Sequence, residues 1–182
     1  MKSETCRRLI LGAAGSKGKT PEEITVDNDP KQNPDVLHDL NRIPWPFEDN
    51  QFGEVICHHV IEHLDDISKT LKEIHRVCDA GGRVYIEVPH FSCYQANSPH
   101  HKLRFSYFSL DGYLKGGKTW LLWDHPFLLK KREITFHRAF RRFQLHRLFN
   151  RFPLTYERFW TYLFPAEHLK FELQPMKPSP RK

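Results

Sequence analysis

The sequence predicts an α/β fold built on a mostly parallel sheet, and three features predict it. Short apolar runs recur through the first half, each ending at a glycine or a polar turn. One segment between two such runs repeats its apolar residues at helical spacing. Near the end, Leu169-Lys170-Phe171-Glu172-Leu173 alternates apolar and polar residues, the pattern of a last, half-buried strand.

The elements follow in order. Arg8-Leu9-Ile10-Leu11 stops at Gly12-Ala13-Ala14-Gly15, and the β-branched run Glu23-Ile24-Thr25-Val26 stops at Asp27-Asn28-Asp29-Pro30. Asp35-Val36-Leu37-His38 stops at Asp39-Leu40, and Glu54-Val55-Ile56-Cys57 stops at His58-His59. Over residues 66–79, Ile67, Thr70, Leu71, Ile74, Val77 and Cys78 share one helical face. Asp66 or Asp65 supplies an N-cap, and Ala80-Gly81-Gly82 supplies a glycine stop. A strand over 83–88 then ends at Pro89. Buried parallel strands read in this way, and they present ligand groups at their C-terminal ends.

The stretch 90–129 is aromatic and polar, an elaborated loop with a short helix near 109–115. Residues 131–136 form another strand candidate. The basic segment 137–152 does not hold one helical phase: Phe136, Phe140 and Phe143 share a face, but Leu145, Leu148, Phe149 and Phe152 fall opposite. A membrane-surface helix needs a single stripe, so two shorter elements are expected.

Length and composition bound the rest. The 182 residues suit one domain over 1–176, with 91–129 as a cap or acceptor loop and 177–182 as a disordered tail. No run approaches the roughly 18 apolar residues of a membrane span. The first residues carry no apolar signal region. Four scattered cysteines without a C-x-x-C fit reduced thiols, so a cytoplasmic location is expected. The net charge of +6 divides into +9 over residues 130–182 and −3 over the remainder. A basic third of that kind suits a solvated face, or contact with phosphate, nucleic acid or anionic lipid.

The strand ends carry the chemistry. Gly12 and Gly15 bracket a tight turn where backbone N–H groups approach a ligand. Asp27, ending the second strand, is placed to accept from ribose hydroxyls. Asp39 and Leu40 offer a carboxylate and an apolar wall, suited to an adenine ring. Together they describe an adenosine-bearing cofactor lying across a sheet crevice.

The string "CHHVIEHLDD", residues 57–66, contains His59-Val60-Ile61-Glu62-His63, an H-x-x-E-H pattern of the inverted zinc-peptidase type. That site needs both imidazoles one turn apart on a continuous helix. Here a strand abuts His58 and a new helix starts at Asp65-Asp66, so no metal is expected. Glu62 and His63 are expected to make structural hydrogen bonds at a turn.

Three stretches carry a family resemblance: "LILGAAG", Val26-Asp27, and "DVLHDLNRIPWPFEDNQFGEVICHHVIEHLDD" running on into "LKEIHRVCDAGGRVYIEVPHFS". They resemble class I S-adenosylmethionine-dependent methyltransferases of the short, type 11-like group. The resemblance spans about residues 8–92 and extends weakly to 176. It implies a Rossmann-like sheet, mostly parallel with an antiparallel closing strand and helices on both faces. It implies S-adenosylmethionine as cofactor, held by Gly12, Ala13, Ala14, Gly15, Asp27, Asn28, Asp39, Leu40, His58 and His59. Ile10 stands where related chains carry an acid, and Ala14 where they carry glycine.

Methyl transfer needs alignment above all, and an oxygen or nitrogen acceptor also needs a base. His90 at a strand end and His101 are the candidates; Pro99-His100-His101-Lys102 matches a Pro-x-His-Lys of related chains and singles out His101. Tyr94, Arg104 and Tyr107 are candidates to line an acceptor pocket. The expected acceptor is a small molecule, a sugar or a lipid-linked group, with no stable nucleic-acid partner and a homo-oligomer or weak membrane contact left open. The alternatives are a degenerate cofactor-binding scaffold and a nucleic-acid methyltransferase.

Overall fold

A computed structural model describes residues 7–13, 20–116, 124, 126–141 and 144–177. Seven strands form one sheet: β1 (Arg8–Leu11), β2 (Glu23–Asp27), β3 (Val36–Leu37), β4 (Phe52–His58), β5 (Cys78–Pro89), β6 (Phe127–Phe136) and β7 (Ala166–Pro175). Their order is β3-β2-β1-β4-β5-β7-β6. The pairs β2–β3, β1–β2, β1–β4 and β4–β5 are parallel, and β7 runs antiparallel to both β5 and β6. The strand order reverses at β1 and β4, the place where open α/β sheets bind ligands.

Strand alternation sorts the side chains onto two unlike faces. Leu9, Leu11, Val55, Cys57, Val84, Ile86, Leu169 and Phe171 are fully buried or nearly so. They join one core cluster with Leu71, Ile74 and Val77 of α1 (Ile67–Val77) and with Phe149 and Tyr156 from the segment after β6. The other face carries a charged ladder across β2, β1, β4 and β5. Arg8 bonds Glu23 at 3.3 Å and Glu54 at 2.6 Å, and Arg83 bonds Glu54 at 3.4 Å. The sequence reading put helices on both faces. Among the described residues, Leu71, Ile74 and Val77 of α1 and Phe149 from the segment after β6 join the apolar cluster, while the face of the charged ladder also carries Ile10, Ile56 and Tyr85.

Helix α1 starts where expected. Asp66 caps it, accepting from the N–H groups of Ser68 and Lys69 at 2.9 and 3.1 Å, and replacing such a cap by alanine costs about 1 kcal/mol. Its end differs from the sequence reading. Cys78 closes the helix in extended conformation, and Gly81-Gly82 lie inside β5, in an irregularity between Phe52↔Cys78 and Glu54↔Arg83. A Cβ on Gly82 would stand 2.7 Å from Cys78 Sγ and 2.9 Å from the Gly53 carbonyl oxygen, so glycine is there for close approach.

The basic third breaks into short elements: α2 (Arg138–Arg141), α3 (Leu145–Arg151) and α4 (Pro153–Thr155), the last running into a π turn over Tyr156–Trp160. Phe149 packs on Phe136, Tyr156 and Phe164, with ring centroids 5.4, 4.7 and 5.7 Å apart. This segment therefore closes the core with its aromatic side. The short helix expected near 109–115 is a single 3-10 turn, Asp111–Tyr113. Among the described residues no helix is long and apolar enough to cross a membrane. Cys57, Cys78 and Cys93 are buried.

Candidate functional site

Two cavities open at the C-terminal ends of the parallel strands. The first, of about 500 Å³, is lined by Gly12, Val26, Asp27, Asn28, His38, Asp39, Leu40, Asn41, His58, His59, Val60, His63, Leu64 and Lys102. The second, of about 580 Å³, is lined by His59, Glu62, Pro89, Tyr94, Gln95, Asn97, Ser98, His101 and His168. His59 lines both.

The first cavity is built by side chains that hold loops in place. Asp27 accepts from the Ala13 N–H at 2.7 Å through Oδ2 and from the Asp29 N–H at 2.9 Å through Oδ1. Each oxygen of a carboxylate has two lone pairs, so each retains one for a ligand. Gly12 has φ +81°, and a Cβ there would lie 2.5 Å from Val60 Cγ2. Only glycine fits both the left-handed backbone and the contact.

Farther along, the β3–β4 loop is moored to α1. Trp45 donates its backbone N–H to Glu73 at 2.7 Å and its indole N–H to the Leu40 carbonyl at 3.1 Å. Arg76 donates to the Trp45 and Phe47 carbonyls at 3.0 and 2.7 Å and to Glu73 at 2.8 Å. Leu40 and Asp39 are thereby fixed at the cavity wall.

His59 has φ +52°, a left-handed conformation rarely adopted outside glycine and asparagine. Its N–H bonds the Glu87 carbonyl at 2.9 Å and its Nδ1 lies 3.3 Å from Glu62 Oε1. The Glu62 carboxylate holds the His59 imidazole above its ordinary pKa. Beside it, burial lowers His168, and His59 adds to the effect. Burial pushes Glu87 up, but the Tyr85 hydroxyl and Lys170 outweigh it and hold the carboxyl below the usual range.

Of the residues singled out from sequence, Gly12, Asp27, Asn28, Asp39, Leu40, His58 and His59 meet around the first cavity, and Ala13 bonds Asp27 from just behind it. Ala14 and Gly15 lie outside the described residues, as do Trp120, Trp123 and the tail beyond 177. His101 lines the second cavity. His90 lines neither: it is fully buried, with Nδ1 2.8 Å from Ser92 Oγ and Nε2 3.2 Å from Glu157. Tyr94 reaches the second cavity, whereas Tyr107 lies under the Arg132 guanidinium at 4.6 Å and Arg104 is exposed. The β4 string behaves as a turn. His59 follows the strand, Ile61–His63 form a 3-10 turn, and His63 Nδ1 bonds the His100 carbonyl at 3.1 Å. Sequence reasoning did not single out His168 and Gln95, and it named Lys102 only as part of the Pro-x-His-Lys string; strand register and loop packing bring all three here.

Residues 19–86 match the family model described as a methyltransferase domain. None of the curated proteins matches the chain in sequence. Among solved structures, a SAM-dependent methyltransferase from Archaeoglobus fulgidus is similar at 16% identity and TM-score 0.59, over 93% of this chain and 86% of that one. Phosphoethanolamine N-methyltransferase 2 from Haemonchus contortus, bound to S-adenosyl-L-methionine, is similar at 15% identity and TM-score 0.54, over 94% and 49%. The [4+2]-cyclase SpnF is similar at 12% identity and TM-score 0.61, over 95% and 75%. At these identities the structural likeness establishes the fold.

Proposed function

We propose that this chain is a class I S-adenosylmethionine-dependent methyltransferase that places the methyl group on an oxygen or nitrogen of a small polar acceptor; the methyltransferase-domain match over residues 19–86 and the fold support the reading. The observation that carries the reading is the shared wall: His59 borders the cavity of the strand ends and the histidine-lined cavity beside it. Two ligands held in adjoining cavities meet there, which is the alignment that methyl transfer requires. When bound, the cofactor supplies a methyl carbon that bonds to the acceptor atom as its bond to sulfur breaks, the electron pair staying on sulfur.

The residues fit that cofactor. Asp27 and Asn28 are at hand for ribose hydroxyls, Asp39 and Leu40 for the adenine edge and face, and Gly12, Ala13, His58 and His59 for the amino-acid end. The second cavity mixes the amides of Gln95 and Asn97 with imidazoles from His59, His101 and His168. Such a wall suits a hydroxylated or amine-bearing small molecule and gives its proton a place to go. In this reading His101 faces the acceptor, while buried His90 holds the loop after β5 by its bonds to Ser92 and Glu157.

Calorimetric titration with S-adenosylmethionine and S-adenosylhomocysteine tests the first cavity. A screen of polyols, phenols and amines for S-adenosylhomocysteine release tests the second. Micromolar cofactor binding and turnover with a member of these classes are expected. Absence of binding by either cofactor form overturns the reading.

A further inference from the structure

We infer that Glu62, His63 and His101 form a binding site for one divalent first-row transition-metal ion, set in the wall between the two cavities. Each residue offers one donor atom, and the three atoms lie within 4.8 Å of one another. Donors about 2.1 Å from a shared ion stand about 3–4 Å apart, so small side-chain rotations complete the set.

Two unsatisfied atoms point the same way. Glu62 is 1% exposed; His59 engages its Oε1, and its Oε2 has no hydrogen-bond partner. His101 Nδ1 is likewise buried without a partner. A buried carboxylate oxygen left unpaired is costly, and a cation held also by the two imidazoles satisfies it. The tautomer of His63 is also set. Its Nδ1 faces the His100 carbonyl at 3.1 Å, and a carbonyl only accepts, so Nδ1 carries the proton and Nε2 keeps its lone pair. A backbone carbonyl orienting the far nitrogen of an imidazole is a usual support for metal ligands.

The fold holds the donors together. The Glu62 carbonyl accepts from the N–H groups of Lys102 and Leu103 at 2.8 and 3.0 Å, which clamps the loop carrying His101 onto the turn carrying Glu62 and His63. The inverted zinc-peptidase pattern needs His59 and His63 on one helix. Here the third donor comes from a different loop, so that geometry is not required. A second cluster, His59 with Glu87 and His168, is a weaker candidate. Glu87 already accepts from the Tyr85 hydroxyl at 2.9 Å and pairs with Lys170 at 3.3 Å.

Two imidazoles and one carboxylate favour manganese, iron, cobalt or zinc over magnesium or calcium, and leave positions open for exogenous oxygen ligands. Glu62 and His101 both border the acceptor cavity. The ion's role, though not its binding, rests on the methyltransferase reading. There it would hold a hydroxyl-bearing acceptor and lower the pKa of that hydroxyl, so that its proton passes to solvent and the oxygen bonds to the methyl carbon as the methyl–sulfur bond breaks, the electron pair staying on sulfur.

Chelator-treated protein titrated with Co²⁺ and Mn²⁺ tests the site. One ion per chain is expected, with visible cobalt bands and an X-ray absorption spectrum of two imidazole nitrogens plus oxygens. Glu62→Gln and His101→Ala should each lose stoichiometric binding while His168→Asn keeps it. Failure of the wild type to bind at millimolar Co²⁺, a spectrum without imidazole, or retention in Glu62→Gln with loss in His168→Asn overturns the proposal. Cofactor titration in the presence of chelator is read separately, so loss of one result leaves the other standing.

Discussion

Asp27 Oδ2 accepts the backbone N–H of Ala13 at 2.7 Å, tying the end of β2 to the turn that leaves β1. One carboxylate thus shapes two sides of the first cavity, since its other oxygen holds the Asp29 N–H. Asp27→Ala removes both ties and the acceptors offered to a ribose. A hydrogen bond to a charged group contributes about 1.5–3 kcal/mol, so S-adenosylmethionine affinity should fall at least about tenfold. Asp27→Asn keeps one acceptor and should lose less. Calorimetry on the two variants decides it, and unchanged affinity in Asp27→Ala would remove Asp27 from the site.

Gly12→Ala should weaken both folding and cofactor binding. The substitution meets a backbone at φ +81° and a contact 2.5 Å from Val60 Cγ2. A left-handed backbone on a residue with a Cβ costs of order 1–3 kcal/mol, before any clash is counted. Adding Val60→Ala clears the contact and leaves the backbone cost. The double variant should therefore recover part of the loss in thermal unfolding, and full recovery would show that the backbone conformation does not matter.

The mooring of the β3–β4 loop makes a pH prediction. Burial pushes Glu73 up, but Arg76 and the Trp45 N–H outweigh it, and the carboxyl sits below its ordinary 4.5. A depressed carboxylate stabilises the fold above its unfolded-state pKa, and that contribution fades as pH falls through the folded value. Glu73→Gln should then cost about 2 kcal/mol near pH 7 and progressively less below pH ~4. Unfolding curves of both proteins across that range test it; a pH-independent difference would refute the assignment.

How much of this was legible in the sequence depends on whether the information is local. Asp27, Asp39 and Gly12 were legible because each punctuates the end of an apolar run, and a parallel sheet gathers such ends at one edge. The order of β7 and β6 was not. Their place follows from antiparallel register between distant segments, which is also why His168 came as new: it is the partner of Pro89 across β5 and β7. The surroundings of His90 are non-local for a related reason. That residue ends a strand as a ligand group should, but Glu157 from the π turn and Tyr156 enclose it. Conversely, the H-x-x-E-H string reads in sequence as a turn, but its meeting with His101 is fixed by the backbone N–H groups of Lys102 and Leu103 donating to the Glu62 carbonyl, which no spacing rule anticipates.

Position 59 separates a backbone cost from a side-chain role. His59 sits at φ +52° because its N–H reaches back to the Glu87 carbonyl while its ring turns to Glu62. Glycine adopts that conformation freely, and alanine does not. Both His59→Gly and His59→Ala delete the imidazole and leave Glu62 Oε1 unengaged by it, so those losses cancel in the comparison. The residual difference is the left-handed backbone of a residue with a Cβ, and His59→Gly should be the more stable by about 1 kcal/mol. Turnover should be low in both, because the ring common to the two cavities is gone from each. Denaturant unfolding and activity on the same two proteins test the pair. Equal stabilities would mean the turn relaxes when the ring leaves, and full turnover in His59→Gly would place the acceptor elsewhere.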